Sequence, residues 1–207
     1  MVKLKVCGLT NGLDYTMACA LGADYTGFVF YEKSPRFVDP AAVRNFIGKG
    51  KTAPVRVGVF VNEEISRVQN IHESAGLNIV QLQGDEDPAY CRTLSLPYWK
   101  ALRVKDVSFL DEIRRFECDT ILLDSFSENS YGGTGKSIDR VLLEKAMESG
   151  KRIIVAGGVS VLNVEEIIRM KPFAVDVCSS LEEYPGKKSI EKMKDFFQKI
   201  HALKEAR

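Results

Sequence analysis

The sequence predicts an α/β protein, a single-domain (β/α)8 TIM barrel, from three observations. Short runs rich in β-branched and aromatic residues alternate with segments of helical period, and there are eight of each. A helix follows every predicted strand, as parallel strands require. The 207 residues contain no Pro/Ser-rich linker and no change in composition, so we interpret residues 1–207 as one domain. An open flavodoxin-like sheet needs fewer strands and is the lesser alternative.

The individual elements follow in chain order from these alternating patterns. Strands are predicted at residues 4–7, 25–30, 55–60, 79–82, 99–103, 120–123, 152–155 and 174–177. Helices are predicted at about 14–21, 40–47, 63–74, 88–94, 107–116, 138–148, 161–169 and 188–204. Asn62 can cap a helix that begins at Glu63, and Gly76 and Gly150 can end the helices before the fourth and seventh strands. Local capping signals therefore agree with the boundaries that periodicity predicts.

Composition excludes several classes of function. The net charge is +1, so we expect no nucleic-acid partner, because such binding depends on clustered positive charge. No apolar stretch approaches the length of a membrane span, and the first residues lack the apolar core of a signal peptide, so we expect no membrane partner and a cytoplasmic location. Five cysteines without a CxxC pair and only two histidines give poor support for a disulfide framework, a metal site or a Ser-His-Asp triad.

Reactive groups in a barrel of this kind lie at the carboxyl ends of the strands. Cys7 and Asp124 end the first and sixth predicted strands, where a thiol and a carboxyl could divide proton abstraction and proton donation. Nearby positive charge would favour the thiolate, and burial would favour the protonated acid. The alternatives are an inert buried cysteine and a loop-fixing carboxylate. Arg36, after the second strand, could grip a carboxylate or lie exposed, and Glu182-Glu183 is interpreted as solvated loop charge.

Small residues after the last two strands predict a phosphate site. Gly157-Gly158 and Ser179-Ser180 would let main-chain N–H groups approach an anion, although tight turns alone would also explain them. The run Gly135-Lys136-Ser137 is not a Walker A motif, because position 130 is serine and the motif requires glycine there. We interpret the glycine-rich segment around Gly133 as a loop that closes over bound substrate.

These motifs together resemble the phosphoribosylanthranilate isomerase family over nearly the whole chain. The resemblance is carried by the segments 5–10, 22–24, 27–31 with 33–36, 57–62, 80–84, 122–124, 131–136, 156–158, 172–177, and Glu182 with 185–188. It implies an Amadori rearrangement in tryptophan biosynthesis, in which N-(5-phosphoribosyl)anthranilate becomes 1-(2-carboxyphenylamino)-1-deoxyribulose 5-phosphate. The expected partner is therefore a small phosphorylated substrate, bound by a monomer or a homodimer that uses no cofactor and no metal.

The resemblance also assigns roles to individual residues. It implies that Asp124 is the general acid, which protonates the furanose oxygen, and that Cys7 is the general base, which removes the proton from C2′. Arg36 would bind the anthranilate carboxylate. The remaining substrate-binding positions that it implies are Gln83, Gly133, Gly157, Gly158, Asp176, Ser179 and Ser180.

Two departures from the family pattern bear on substrate binding. Gln83 stands where the family often has histidine, so an amide hydrogen bond is possible there but titration is not. Cys178-Ser179-Ser180 replaces the usual Ser-Ser-Gly turn, which affects the geometry of the phosphate contact at Ser180.

Two other functions remain open at this stage. The histidine-pathway isomerase catalyses the same rearrangement on a similar barrel, but it has aspartates in both catalytic positions and two phosphate sites. A non-catalytic module that binds a phosphorylated ligand would not require Cys7 and Asp124 together.

Overall fold

Eight parallel strands form a closed barrel in the computed structural model, which describes residues 2–47, 53–125 and 140–205. The strands are β1 Lys3–Val6, β2 Tyr25–Val29, β3 Val55–Phe60, β4 Ile79–Leu82, β5 Tyr98–Val104, β6 Thr120–Ser125, β7 Arg152–Val155 and β8 Ala174–Val177. Each pairs with its neighbours in sequence, and β1 closes the barrel against β8. The predicted barrel is confirmed. The third, fourth, seventh and eighth strands have the predicted bounds.

The helices that follow the strands cover the outside of the barrel. They are α1 Gly12–Leu21, α2 Pro40–Phe46, α3 Ile65–Ser74, α4 Pro88–Thr93, α5 Phe109–Arg115, α6 Arg140–Met147, α7 Val164–Arg169 and α8 Ile190–Glu205. Gly76 and Gly150 have φ of +65° and +78° after α3 and α6, so their predicted roles as helix stops are confirmed. No helix within the described ranges is both long and apolar enough to cross a membrane.

Alternation of side chains along the strands divides the core into two layers. The larger layer lies between the strands and the helices and includes Phe28, Leu82 and Phe196. A smaller cluster is formed by side chains of the strands, with Tyr25 and Trp99 in edge-to-face contact at a centroid distance of 5.0 Å. Both layers are apolar, so the polar residues at the carboxyl ends of the strands stand out.

The predicted role of Asn62 as a helix cap is wrong. Helix α3 begins at Ile65, and Glu64 occupies the N-cap position without a side-chain capping bond. Asn62 has φ of +50°, and its Oδ1 accepts a hydrogen bond from the Asp85 main-chain N–H at 2.7 Å. Its own N–H donates to Glu86 Oε1 at 2.8 Å. Asn62 therefore links the loop after β3 to the loop after β4. Because its side chain is hydrogen bonded to the second loop, it does not cap α3.

A short hairpin between β8 and α8 was not predicted from the sequence. A 3₁₀ turn, Ser179–Leu181, leads into strands β9 Glu182–Tyr184 and β10 Lys187–Lys188, which pair antiparallel. Asp14 of α1 fixes this hairpin, since it accepts hydrogen bonds from the Lys187 side chain at 2.7 Å and from the Lys188 main chain at 2.8 Å. The hairpin delays the start of the last helix and brings Glu182 to the barrel mouth.

Candidate active site

A cavity of about 580 Å³ opens at the carboxyl ends of the strands. Most residues that the sequence predicts for the site line it: Cys7, Arg36, Gln83, Asp124, Gly157, Gly158, Asp176 and Ser179. Gly133 lies outside the described residues, and Ser180 does not line the cavity. The topology brings these positions together, because the carboxyl ends of all parallel strands meet on one face of the barrel.

The Cys7 thiol lies beside a second thiol, Cys178, which also lines the cavity and which the sequence analysis did not identify as a site residue. The two cysteines follow β1 and β8, whose last residues Val6 and Val177 are paired. The adjacent Cys178 thiol, together with burial, raises the pKa of the Cys7 thiol well above its usual value. The adjacent Cys7 thiol, with Lys188 and Arg36 nearby, lowers the pKa of Cys178 to about 7. The surroundings of the pair therefore favour a thiolate on Cys178 over one on Cys7.

Beneath Cys7 lies a buried ion pair between the first and last strands of the barrel. Lys5 Nζ donates to Asp176 Oδ2 at 2.7 Å, and the Lys5 side chain is fully buried. Burial lowers the pKa of Lys5, but the charges of Asp176 and Cys7 outweigh burial and raise it. Lys5 is therefore the positive charge expected beside Cys7. It lowers the pKa of the thiol, but the effects of Cys178 and of burial, which raise that pKa, are larger.

Asp176 itself retains a proton more readily than an ordinary aspartate. Burial raises its pKa to about 7, against the opposing effect of Lys5. Its Oδ1 is buried without a hydrogen-bond partner among the described residues, and the residue lines the cavity. This oxygen is thus available to a hydroxyl of a bound ligand.

Asp124 of β6 is held by two amide side chains at the end of β4. Gln81 Nε2 donates to Gln83 Oε1 at 2.7 Å, and Gln83 Nε2 donates to Asp124 Oδ2 at 3.0 Å. Burial, and then the negative charge of Asp176, raise the pKa of Asp124 to about 6. The other oxygen, Oδ1, has no hydrogen-bond partner in the part of the chain that the structure describes. Asp124 can therefore present a protonated oxygen to the cavity.

Arg36 is already paired with a buried carboxylate. Its Nε and Nη2 donate to the two oxygens of Glu182 at 2.9 and 2.7 Å. Lys188 Nζ also contacts Glu182 Oε1 at 3.0 Å. Burial raises the pKa of Glu182, but Arg36 and Lys188 outweigh burial and lower it. The interpretation of Glu182 as solvated charge is wrong, because the unpredicted hairpin carries it into the barrel mouth. Arg36 keeps Nη1 outside this pair.

The two turns predicted to hold phosphate lie side by side. Gly157 and Gly158 have φ of +72° and +68°, and a Cβ at Gly157 would lie 2.5 Å from the Ser125 main-chain nitrogen, so this turn requires glycine. Ser180 Oγ donates to the Val159 carbonyl at 2.6 Å. The serine that departs from the family pattern therefore ties the turn after β8 to the turn after β7.

Metal ligation has no evident basis in these groups. Within residues 2–47, 53–125 and 140–205, no cluster of three or more His, Cys, Asp or Glu side chains is arranged to hold an ion.

Comparison with known proteins gives consistent matches over the full chain. The family model for N-(5'phosphoribosyl)anthranilate (PRA) isomerase matches residues 4–199. The chain is 41% identical to the N-(5'-phosphoribosyl)anthranilate isomerase of Trichlorobacter lovleyi, covering 96% of this chain and 97% of that protein. It is 44% identical to the enzyme of the same name from Rubrobacter xylanophilus, covering 95% and 97%.

Solved structures match the fold equally well. The phosphoribosyl anthranilate isomerase of Thermotoga maritima is 35% identical, with a TM-score of 0.89 and coverage of 98% of this chain and 100% of that one. A phosphoribosyl anthranilate isomerase in complex with reduced 1-(o-carboxyphenylamino)-1-deoxyribulose 5-phosphate is 34% identical, with a TM-score of 0.85 and the same coverage.

Proposed function

The chain belongs to the N-(5'-phosphoribosyl)anthranilate isomerase family, and we propose that Cys7 and Asp124 carry out the proton transfers of its reaction. That reaction is an aldose–ketose isomerisation of tryptophan biosynthesis. It is the Amadori rearrangement of N-(5-phosphoribosyl)anthranilate to 1-(2-carboxyphenylamino)-1-deoxyribulose 5-phosphate. The observation that carries the proposal is that a buried thiol and a carboxyl with a raised pKa line the same cavity.

Asp124 acts as the general acid in the first step. Its raised pKa keeps a substantial protonated fraction near neutral pH, and Gln83 holds Oδ2 so that Oδ1 carries the proton. Transfer of this proton to the furanose ring oxygen breaks the bond between that oxygen and C1′. The lone pair of the anthranilate nitrogen then forms a Schiff base.

Cys7 acts as the general base in the second step, with Cys178 as its proton acceptor. The Cys178 thiolate takes the proton of the adjacent Cys7 thiol, and Lys5 stabilises the Cys7 thiolate that results. The Cys7 thiolate removes the proton from C2′ and gives an enolamine. Tautomerisation adds a proton at C1′ and removes one from the C2′ hydroxyl, so the reaction consumes no proton overall.

The substrate is anchored at both ends in this proposal. Main-chain groups of the turns at Gly157-Gly158 and Ser179-Ser180 bind the phosphate, and Arg36 directs Nη1 to the anthranilate carboxylate. Glu182 orients Arg36 through its two hydrogen bonds. Asp176 accepts a hydrogen bond from a ribose hydroxyl through Oδ1, and Gln83 and the loop at Gly133 complete the contacts.

The test is turnover of N-(5-phosphoribosyl)anthranilate, followed by its fluorescence. We expect turnover by the wild type and a loss in kcat of about 10²- to 10⁴-fold in Cys7→Ser and in Asp124→Asn. Cys19→Ser, which removes a half-buried thiol of α1 away from the cavity, is the matched control and should keep wild-type kcat. An inactive wild type, or catalytic variants with unchanged rates, would overturn the proposal.

We further propose that residues 1–207 act as one domain, in the cytoplasm, as a monomer or a homodimer. A dimeric relative from Thermotoga maritima, 35% identical, supports the second state. Light scattering on the purified protein distinguishes the two states.

A further inference from the structure

Cys178 and the proposed catalytic base occupy equivalent places on adjacent strands. Lys5 is paired with Asp176 and Val6 with Val177, so Cys7 and Cys178 come next in register. Side chains alternate along a strand, and the Lys5 and Asp176 side chains meet each other. Two residues further along, the thiols of Cys7 and Cys178 therefore point to the same side, and both line the cavity.

We propose that Cys7 and Cys178 form a reversible disulfide when the protein meets a peroxide, and that this bond switches the enzyme off. Residues in register on neighbouring strands lie about 5 Å apart, which is within the Cα separation that a disulfide spans. Both side chains line the cavity, so a small peroxide can reach them. Cys19, Cys91 and Cys118 do not line it.

Cys178 is the thiol that reacts first. Lys188 Nζ lies 3.7 Å from Cys178 Sγ and also donates to the Cys178 carbonyl at 3.0 Å. This fully buried ammonium and the Arg36 guanidinium stabilise the thiolate, which is the nucleophilic form, and they outweigh the Glu182 carboxylate, whose Oε1 lies 3.9 Å from Cys178 Sγ. A lowered pKa of Cys178, to about 7, agrees with this placement, whereas the pKa of Cys7 is raised.

The chemistry balances with hydrogen peroxide as the oxidant. The Cys178 thiolate attacks one peroxide oxygen, the O–O bond breaks, and Cys178 becomes a sulfenic acid while hydroxide leaves and takes a proton. Cys7 Sγ then attacks Cys178 Sγ, the S–O bond breaks, and a second water leaves. Two thiols have lost two electrons and two protons, and one peroxide has become two waters.

Loss of activity rests on the proposed function, because a disulfide removes the thiol that acts as base. Formation of the disulfide does not depend on that function. The two are tested separately by activity and by mass spectrometry of the intact protein and its peptides.

The experiment exposes the wild type, Cys178→Ser and Cys19→Ser to hydrogen peroxide, and each protein is compared with its own untreated activity. We expect the wild type and Cys19→Ser to lose nearly all activity, to lose two hydrogens in mass, to yield a Cys7–Cys178 peptide, and to recover with dithiothreitol. Cys178→Ser should lose its remaining activity about fivefold more slowly, because it lacks the thiol that faces the Lys188 ammonium. The reduced product analogue should protect the wild type.

Distinct results separate the failure of each idea. A wild type that forms no Cys7–Cys178 peptide, or that instead joins Cys91 to Cys118, would overturn the inference. Equal and equally reversible inactivation of Cys178→Ser would also overturn it. A wild type without turnover before oxidation would overturn the proposed function, while peptide mapping would still decide whether the disulfide forms.

Discussion

Replacement of Asp124 by asparagine should stabilise the protein at alkaline pH while it removes activity. Asp124 is 4% exposed, and its pKa is about 6 in the folded protein against an ordinary value of 3.8. Because the folded pKa is raised, ionisation costs stability in the folded state. That cost is absent below about pH 4 and is complete above about pH 6. Asparagine keeps the shape and the acceptor for Gln83 but carries no charge.

The size of the effect follows from the pKa difference. A difference of about 2 between the folded and unfolded values corresponds to about 3 kcal/mol. We therefore expect Asp124→Asn to exceed the wild type in free energy of unfolding by about 3 kcal/mol at about pH 8, and by about zero at about pH 4. For a chain of this length, that is a rise in Tm of about 6 to 12 °C at the higher pH.

Urea denaturation at both pH values measures this difference. Asp111→Asn is the matched control, because the Asp111 side chain is 85% exposed and its replacement should change stability little at either pH. Burial does not raise the pKa of Asp124 if Asp124→Asn is no more stable than the wild type at the higher pH. The same conclusion follows if the two proteins differ by the same free energy of unfolding at both pH values. Its assignment as the acid would then lose its physical basis.

Three further predictions concern groups around Cys7 and Arg36. Glu182→Gln leaves Arg36 without its carboxylate, so the free energy of unfolding measured by urea denaturation should fall by about 3 kcal/mol. An unchanged free energy would contradict a stabilising role for the buried ion pair. Gly27→Ala places a Cβ 2.7 Å from Cys7 Sγ and 3.1 Å from Cys7 Cα, so the thiol must move and kcat should fall about 100-fold. A normal kcat would show that the position of the thiol is not critical. Lys5→Met removes the charge that stabilises the Cys7 thiolate formed in the second step, so kcat should fall. An unchanged kcat would argue against Cys7 as the base.

Local patterns in the sequence predict the barrel well, because each strand and helix carries its own periodicity. The strands at Val55–Phe60 and Arg152–Val155 have the predicted bounds, since each is a short run rich in β-branched residues. The helix start near Asn62 was mispredicted, because the side chain bonds to the next loop, and periodicity does not report such contacts.

A site residue could be predicted where its residue type and its position at the end of a strand are enough to identify it. Cys7, Asp124 and Asp176 all line the cavity. The partners of these residues could not be predicted in the same way, because their proximity depends on closure of the barrel. Lys5 and Asp176 are separated by 171 positions, and Cys178 meets Cys7 only through the same closure. Strand order with the alternation of side chains is the signal that could have identified Cys178.

Because β1 pairs with β8, the site can be complete only after β8 has been synthesised. The proposed base is translated long before its thiol partner and the buried Glu182. A nascent chain that lacks β8 leaves the edge of β1 unpaired and the Lys5 ammonium without its carboxylate. A partly synthesised chain therefore has no assembled site for a reactive aminoaldose, and competence to react begins only when the last strand has docked.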